Sequence, residues 1–98
     1  MTMRLFIVTF DLPGARHGDP RYDRADRTLR TMGRTFAPLK QTRLLASRLR
    51  ARDVRNVILP VVGPHANIFV ARITASWAFR VLDPGARGML RTWLKRLA

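Results

Sequence analysis

Apolar positions along the chain follow two rhythms, one that marks strands and one that marks helices. Arg4 to Phe10 (RLFIVTF) is almost unbroken by polar residues and rich in β-branched and aromatic types. That is the pattern of a strand buried on both faces, and Asp11 closes it. Leu12 to Pro20 holds two prolines and two glycines and reads as a loop. Asp19-Pro20 then supplies a capping side chain followed by proline at the first helical position, so a helix is predicted from there to about Met32, stopped by Gly33. With about 100° of turn per residue, Tyr22, Ala25, Leu29 and Met32 share one side of that helix, and Arg21, Arg24, Arg27 and Arg30 spread over the other.

Thr35 to Ser47, with Phe36, Leu39, Leu44 and Leu45, reads as one long strand or as two pieces bent at Pro38. Ser47 is placed to cap a second helix over about Arg48 to Leu59, ended by Pro60 and Gly63-Pro64. On its wheel Val54, Val57, Ile58 and Val61 oppose Arg48, Arg52 and Arg55. Asn67 to Ile73 (NIFVARI) is a clear strand. Trp77, Phe79 and Val81 alternate within Thr74 to Leu82, which fits a last strand. Asp83-Pro84 repeats the cap-and-proline start, and Ala86, Met89, Leu90, Trp93, Leu94 and Leu97 trace the apolar face of a terminal helix.

Strand, helix, strand, helix and strand in under 100 residues predict an α+β fold. The expected form is a ferredoxin-like βαββαβ sandwich in a single domain over residues 1–98, with an additional C-terminal helix. Helices on one face of such a sheet leave the other face uncovered, so self-association through it is expected.

Charge changes this picture more than composition does. The apolar share of 47% is ordinary for a globular chain, but 19 basic residues face only 6 acidic ones, a net charge of +13. The bases are 17 Arg and 2 Lys, and the acids are all Asp. A GC-rich genome would account for part of the preference for arginine over lysine but not for the excess of positive charge. A field of this sign attracts polyanions, and arginine grips phosphate with a planar fork of donors. Nucleic acid, RNA or DNA, is therefore the expected partner, with the arginines of both helices as its contacts. There is no cysteine for a disulfide or thiolate site. The apolar run at Leu5 to Phe10 is too short for a signal peptide and nothing approaches a bilayer span, so no membrane is expected and the location expected is cytoplasmic.

Asp11 is the sharpest candidate for chemistry. A carboxylate ending an apolar strand is explained by Mg²⁺ or Mn²⁺, which take oxygen ligands, or by capping the following turn or pairing with an arginine. One carboxylate per chain is a thin metal site, but a two-fold dimer that joins two copies of Asp11 would hold an ion suited to phosphodiester cleavage. Asp23 and Asp26 sit among arginines, where surface pairs suffice. His17 and His65 lie in loops, and His17 is within reach of a role as base or phosphate ligand. Trp77 and Phe79, near Arg72 and Arg80, fit either the core or a stacking platform for unpaired bases.

The segment Leu5-Phe-Ile-Val-Thr-Phe-Asp11, the helix ending at Met32-Gly33, Pro38-Leu-Lys-Gln-Thr-Arg-Leu-Leu-Ala-Ser47 and the strand Ile68-Phe-Val-Ala-Arg72 occur in an order that resembles the CRISPR-associated Cas-two endoribonuclease family and its virulence-associated protein D relatives among toxins. The resemblance covers most of residues 3 to 73. It implies a ferredoxin-like homodimer in which Asp11 binds a divalent metal and supports phosphodiester cleavage. Cleavage is the expected activity, and the alternative the resemblance offers is a non-catalytic scaffold that helps an integrase hold DNA. A toxin- or regulator-type interaction protein is the remaining alternative. The chain departs from the family at Phe10, where tyrosine is usual, at Arg43-Leu44-Leu45, and in its Trp93-Leu94 helix.

Overall fold

A computed structural model of the chain describes residues 2–39, 41–74 and 76–98. The elements run β1 (Arg4–Asp11), α1 (Pro20–Met32), β2 (Arg34–Leu39), β3 (Thr42–Ser47), α2 (Ala51–Val62), β4 (Asn67–Arg72) and α3 (Pro84–Leu97). The strands form one sheet in the order β2-β3-β1-β4, antiparallel throughout. This is the expected α+β, ferredoxin-like arrangement, with a helix appended. The apolar strand β1 is central, as its lack of polar breaks requires. Its alternate residues serve two cores, because successive side chains of a strand point to opposite faces.

Phe6, Val8 and Phe10 point toward α1 and α2. There they join Leu45 from β3, Ala25 and Leu29 from α1, and Val54, Ile58 and Val62 from α2. Leu5 points the other way, into a second cluster with Leu44, Val81, Leu90 and Leu94. The face expected to be bare is therefore covered, over β1 and its neighbours, by the chain's own α3. Trp93 meets Phe36 of β2 edge-on, with ring centres 4.8 Å apart. What remains open on that face lies toward β4, where Phe69 is 61% exposed.

Both cap-and-proline starts form as expected. Asp19 accepts from the Arg21 backbone N–H at 2.9 Å, and Asp83 accepts from that of Ala86 at 2.8 Å. Three other expectations are corrected. Thr35 to Ser47 is two pieces rather than one long strand, but the break falls between Leu39 and Thr42 instead of at Pro38, and the pieces pair as the hairpin β2–β3. Pro38 sits on the edge strand at a register irregularity between Phe36 and Leu39, where a missing N–H is tolerated. The second helix starts and ends three residues later than expected and runs through Pro60 to Val62. The i, i+4 series Val54, Ile58, Val62 buries that face, so packing outweighs one missing hydrogen bond, and Val57 is left outward. Ser47 does not cap α2. Its hydroxyl donates to the Met32 carbonyl at 2.8 Å and accepts from the Leu49 N–H at 3.1 Å, tying the end of β3 to the end of α1.

The expected strand over Thr74 to Leu82 is also absent among the described residues; Ala75, within that span, lies outside them. Here the chain crosses the sheet face as an irregular segment that inserts Val81 and Phe79 into the second core. Gly33 follows α1 for a reason of space. Its φ of 163° is ordinary extended backbone, but a Cβ there would stand 2.0 Å from the Ala46 carbonyl oxygen.

Candidate nucleic-acid interface

β1 pairs antiparallel with both β3 and β4, so the connecting helices α1 and α2 run antiparallel to each other on one sheet face. Their inner sides are fixed by the core, which fixes what the outer sides carry. Arg24, Arg27 and Arg30 of α1 and Arg52 and Arg55 of α2 are all exposed, as is Arg48 in the bend before α2. Arg24 and Arg27 line a shallow groove of about 290 Å³ with Thr28 and Thr31 and with Val61 of the adjacent helix. Six of the seven arginines expected at an interface thus sit outward on the helical layer or at its edge.

Arg21 differs. Its guanidinium reaches back to Asp19, with Nη2 2.8 Å from Oδ2 and Nε 3.1 Å from Oδ1. The side-chain hydrogen bond from Arg21, then that from its backbone N–H, hold the Asp19 carboxyl down to about 2 and raise the Arg21 guanidinium in turn. Arg21 is thus partly engaged at the start of α1.

Few carboxylates are left to oppose this surface. Asp19 and Asp83 cap helices, Asp53 accepts from the Arg50 N–H at 3.3 Å, and Asp26 pairs with Arg43. Of the six acids, Asp11 and Asp23 remain. The Asp26–Arg43 pair was not foreseen. Arg43 is only 7% exposed, with Nε 2.8 Å from Asp26 and its guanidinium 4.8 Å from the Phe10 ring centre. It points inward with Leu45, and the pair joins β3 to α1 through the aromatic layer of Phe10 and Tyr22. The available signal was parity: an arginine two residues from a core leucine in a strand shares its face and needs a partner there.

Asp11 lies exposed at the end of β1, opposite Asn67 of β4 and on the sheet face that bears Thr9 and Phe69. Among the described residues its carboxylate makes no hydrogen bond or ion pair, so it neither caps the next turn nor meets an arginine. Nor do those residues contain a group of three or more His, Asp or Glu side chains able to hold a metal. Asp11 alone does not make a divalent-ion site within one chain.

His17 sits with Arg16, Tyr22, Gln41 and Arg43 around a polar cleft of about 340 Å³, and Asp11 is not among its walls. The two candidates from the β1–α1 region are thus turned to different surroundings. His65 is exposed in the turn after α2. Arg72 pairs with Phe6 and so belongs to the sheet face that α1 and α2 cover, opposite the α3 side where Phe79 packs. Among the described residues no helix is long and apolar enough to cross a membrane. Compared with known proteins, the chain matches no protein-family model, no curated protein and no solved structure.

Proposed function

We propose that this chain binds nucleic acid by its phosphate backbone, through the outer faces of α1 and α2. The observation that carries the reading is the placement of Arg24, Arg27, Arg30, Arg48, Arg52 and Arg55 along or beside one helical layer, while four of the six carboxylates are occupied in caps and ion pairs. Forked cations spread along two packed helices suit phosphate oxygens, and the release of condensed counterions supplies the affinity without sequence readout. Titration of a labelled duplex tests this. Joint Arg52→Ala and Arg55→Ala substitution is expected to weaken binding about tenfold or more at 0.1 M salt. Lys95→Ala, on α3, should leave it nearly unchanged. Equal affinity for the double variant and the unaltered chain would refute the assignment.

A second reading is metal-dependent phosphodiester cleavage by a homodimer, as the likeness to the Cas-two family implies. One observation favours it: Asp11 is exposed and unengaged among the described residues, which leaves its oxygens available. It requires Asp11 of a second copy to complete a Mg²⁺ or Mn²⁺ site, brought up over the part of the sheet that α3 leaves open. Asp11→Asn should then abolish Mg²⁺-dependent cleavage of RNA or DNA and leave duplex affinity intact. Cleavage that survives the substitution removes Asp11 from the chemistry. Binding with no cleavage under any divalent ion returns the chain to a scaffold, the role in which an integrase partner fits.

A further inference from the structure

The irregular segment before α3 forms a second cationic surface, on the sheet side opposite α1 and α2. Trp77 and Phe79 stack with ring centres 6.0 Å apart and 25° between their planes. Phe79 is anchored against the second core, whereas Trp77 is 39% exposed. Ser76, immediately before Trp77, has φ 68°, a left-handed conformation that residues other than glycine seldom adopt. The indole is therefore presented by a local backbone turn and backed by an anchored ring. In front of it lies a cleft of about 600 Å³ whose walls include Trp77, Phe79, Arg80, Leu82, Arg87 and Arg91. Arg87 and Arg91 are four residues apart on α3 and both exposed, so they stand on one side of that helix. No acidic side chain lines the cleft among the described residues.

From this juxtaposition we infer that the Trp77–Phe79 cleft is a binding site for an unpaired stretch of nucleic acid, with a base stacked on Trp77 and the flanking phosphates met by Arg80, Arg87 and Arg91. An aromatic platform with cations at its margin matches the two chemical parts of a nucleotide, a π face and an anionic backbone. An acidic peptide would satisfy the arginines but leave the indole without a complementary surface. A duplex keeps its bases stacked on one another and offers the indole no free face along its length. The site extends the proposed nucleic-acid binding to single strands, and it shares no residue with the α1–α2 surface.

The test is fluorescence titration of the full chain with a single-stranded thymidine 12-mer, a blunt duplex of the same length and a glutamate 12-mer peptide. The single strand is expected to quench tryptophan emission, and Trp77→Phe should remove most of that quenching, leaving only the signal of Trp93. Trp77→Ala should weaken single-strand binding about 5- to 150-fold and leave duplex affinity within about twofold, with the helical circular dichroism unchanged. Joint Arg87→Ala and Arg91→Ala substitution should weaken single-strand binding while Trp77 remains in place. Saturating binding without quenching, an unaltered affinity in Trp77→Ala, or equal competition by the glutamate peptide would overturn the inference. If duplex binding instead proves insensitive to Arg52 and Arg55, the α1–α2 proposal fails while the Trp77 result stands.

Discussion

Arg43 and Asp26, 17 positions apart in sequence, form a largely buried ion pair in which Nε lies 2.8 Å from Oδ1 and the guanidinium rests over the Phe10 ring. The pair is a junction of sheet, helix and aromatic layer, so its removal is felt in stability. Arg43→Ala deletes the cation, the stacking and the packing of the stem at once. Because the Asp26 side chain retains 30% of its accessibility, water offsets part of the loss, and a cost of about 1–3 kcal/mol is expected. Urea unfolding of Arg43→Ala, Asp26→Asn and the double variant measures the coupling. It should be about 1 kcal/mol or more, and Arg43→Lys should not restore it, since lysine lacks the flat fork. A coupling near zero would show the two side chains to be independent.

At Gly33 the limit is space. A methyl group there meets the backbone of β3 at Ala46 rather than the end of a flexible side chain. Gly33→Ala must push the end of α1 away from the sheet, at about 2–3 kcal/mol. Thermal unfolding should show this as a fall in Tm of roughly 10–20 °C. An unchanged Tm would mean that helix and strand approach less closely than described.

The covering of the second sheet face by α3 predicts a contrast along one helix. Leu94 is buried against the cluster of Leu5 and Leu44, whereas Met89 is half-exposed on the same helix. Leu94→Ala should cost about 2–4 kcal/mol and Met89→Ala under about 1 kcal/mol, both by denaturant unfolding. Similar small losses at the two positions would indicate that α3 does not rest on the sheet.

Asp19 gives the acid limb of stability its shape. Its carboxyl titrates at about 2 in the folded chain against 3.8 for the free group, so its contribution is fully present above about pH 4 and is lost as pH falls through 2. The stability difference between the unaltered chain and Asp19→Asn should therefore shrink steadily from pH 4 to pH 2. A carboxyl titration followed by NMR should place the Asp19 midpoint near 2; a midpoint near 3.8 would contradict the Arg21 pairing.

Elements with local signals were legible in the sequence. The unbroken apolar run of β1 and the Asp-Pro starts of α1 and α3 place those elements closely, because each signal acts within a few residues. Features that depend on distant chain were not. Pro60 reads as a stop, yet Ile58 and Val62 hold α2 together across it. Ser47 reads as a cap, yet it is consumed by Met32. Trp77, Phe79 and Val81 alternate like a strand but form none among the described residues; Phe79 and Val81 instead pack into the second core, and that segment and α3 cover the sheet face expected to be free. Of the candidate site, the arginine faces followed from helix periodicity. The engagement of Arg21 by Asp19 and the separation of His17's cleft from Asp11 needed three-dimensional placement.

The most direct measurement is the salt dependence of duplex binding. If Arg24, Arg27, Arg30, Arg48, Arg52 and Arg55 all meet phosphates, log K should fall with log salt at a slope of about −5. Each Arg→Ala substitution among them should make it shallower by about 1. A slope near zero, or one that does not move when Arg24, Arg27 and Arg52 are replaced together, would contradict the assignment of this helical layer to nucleic acid.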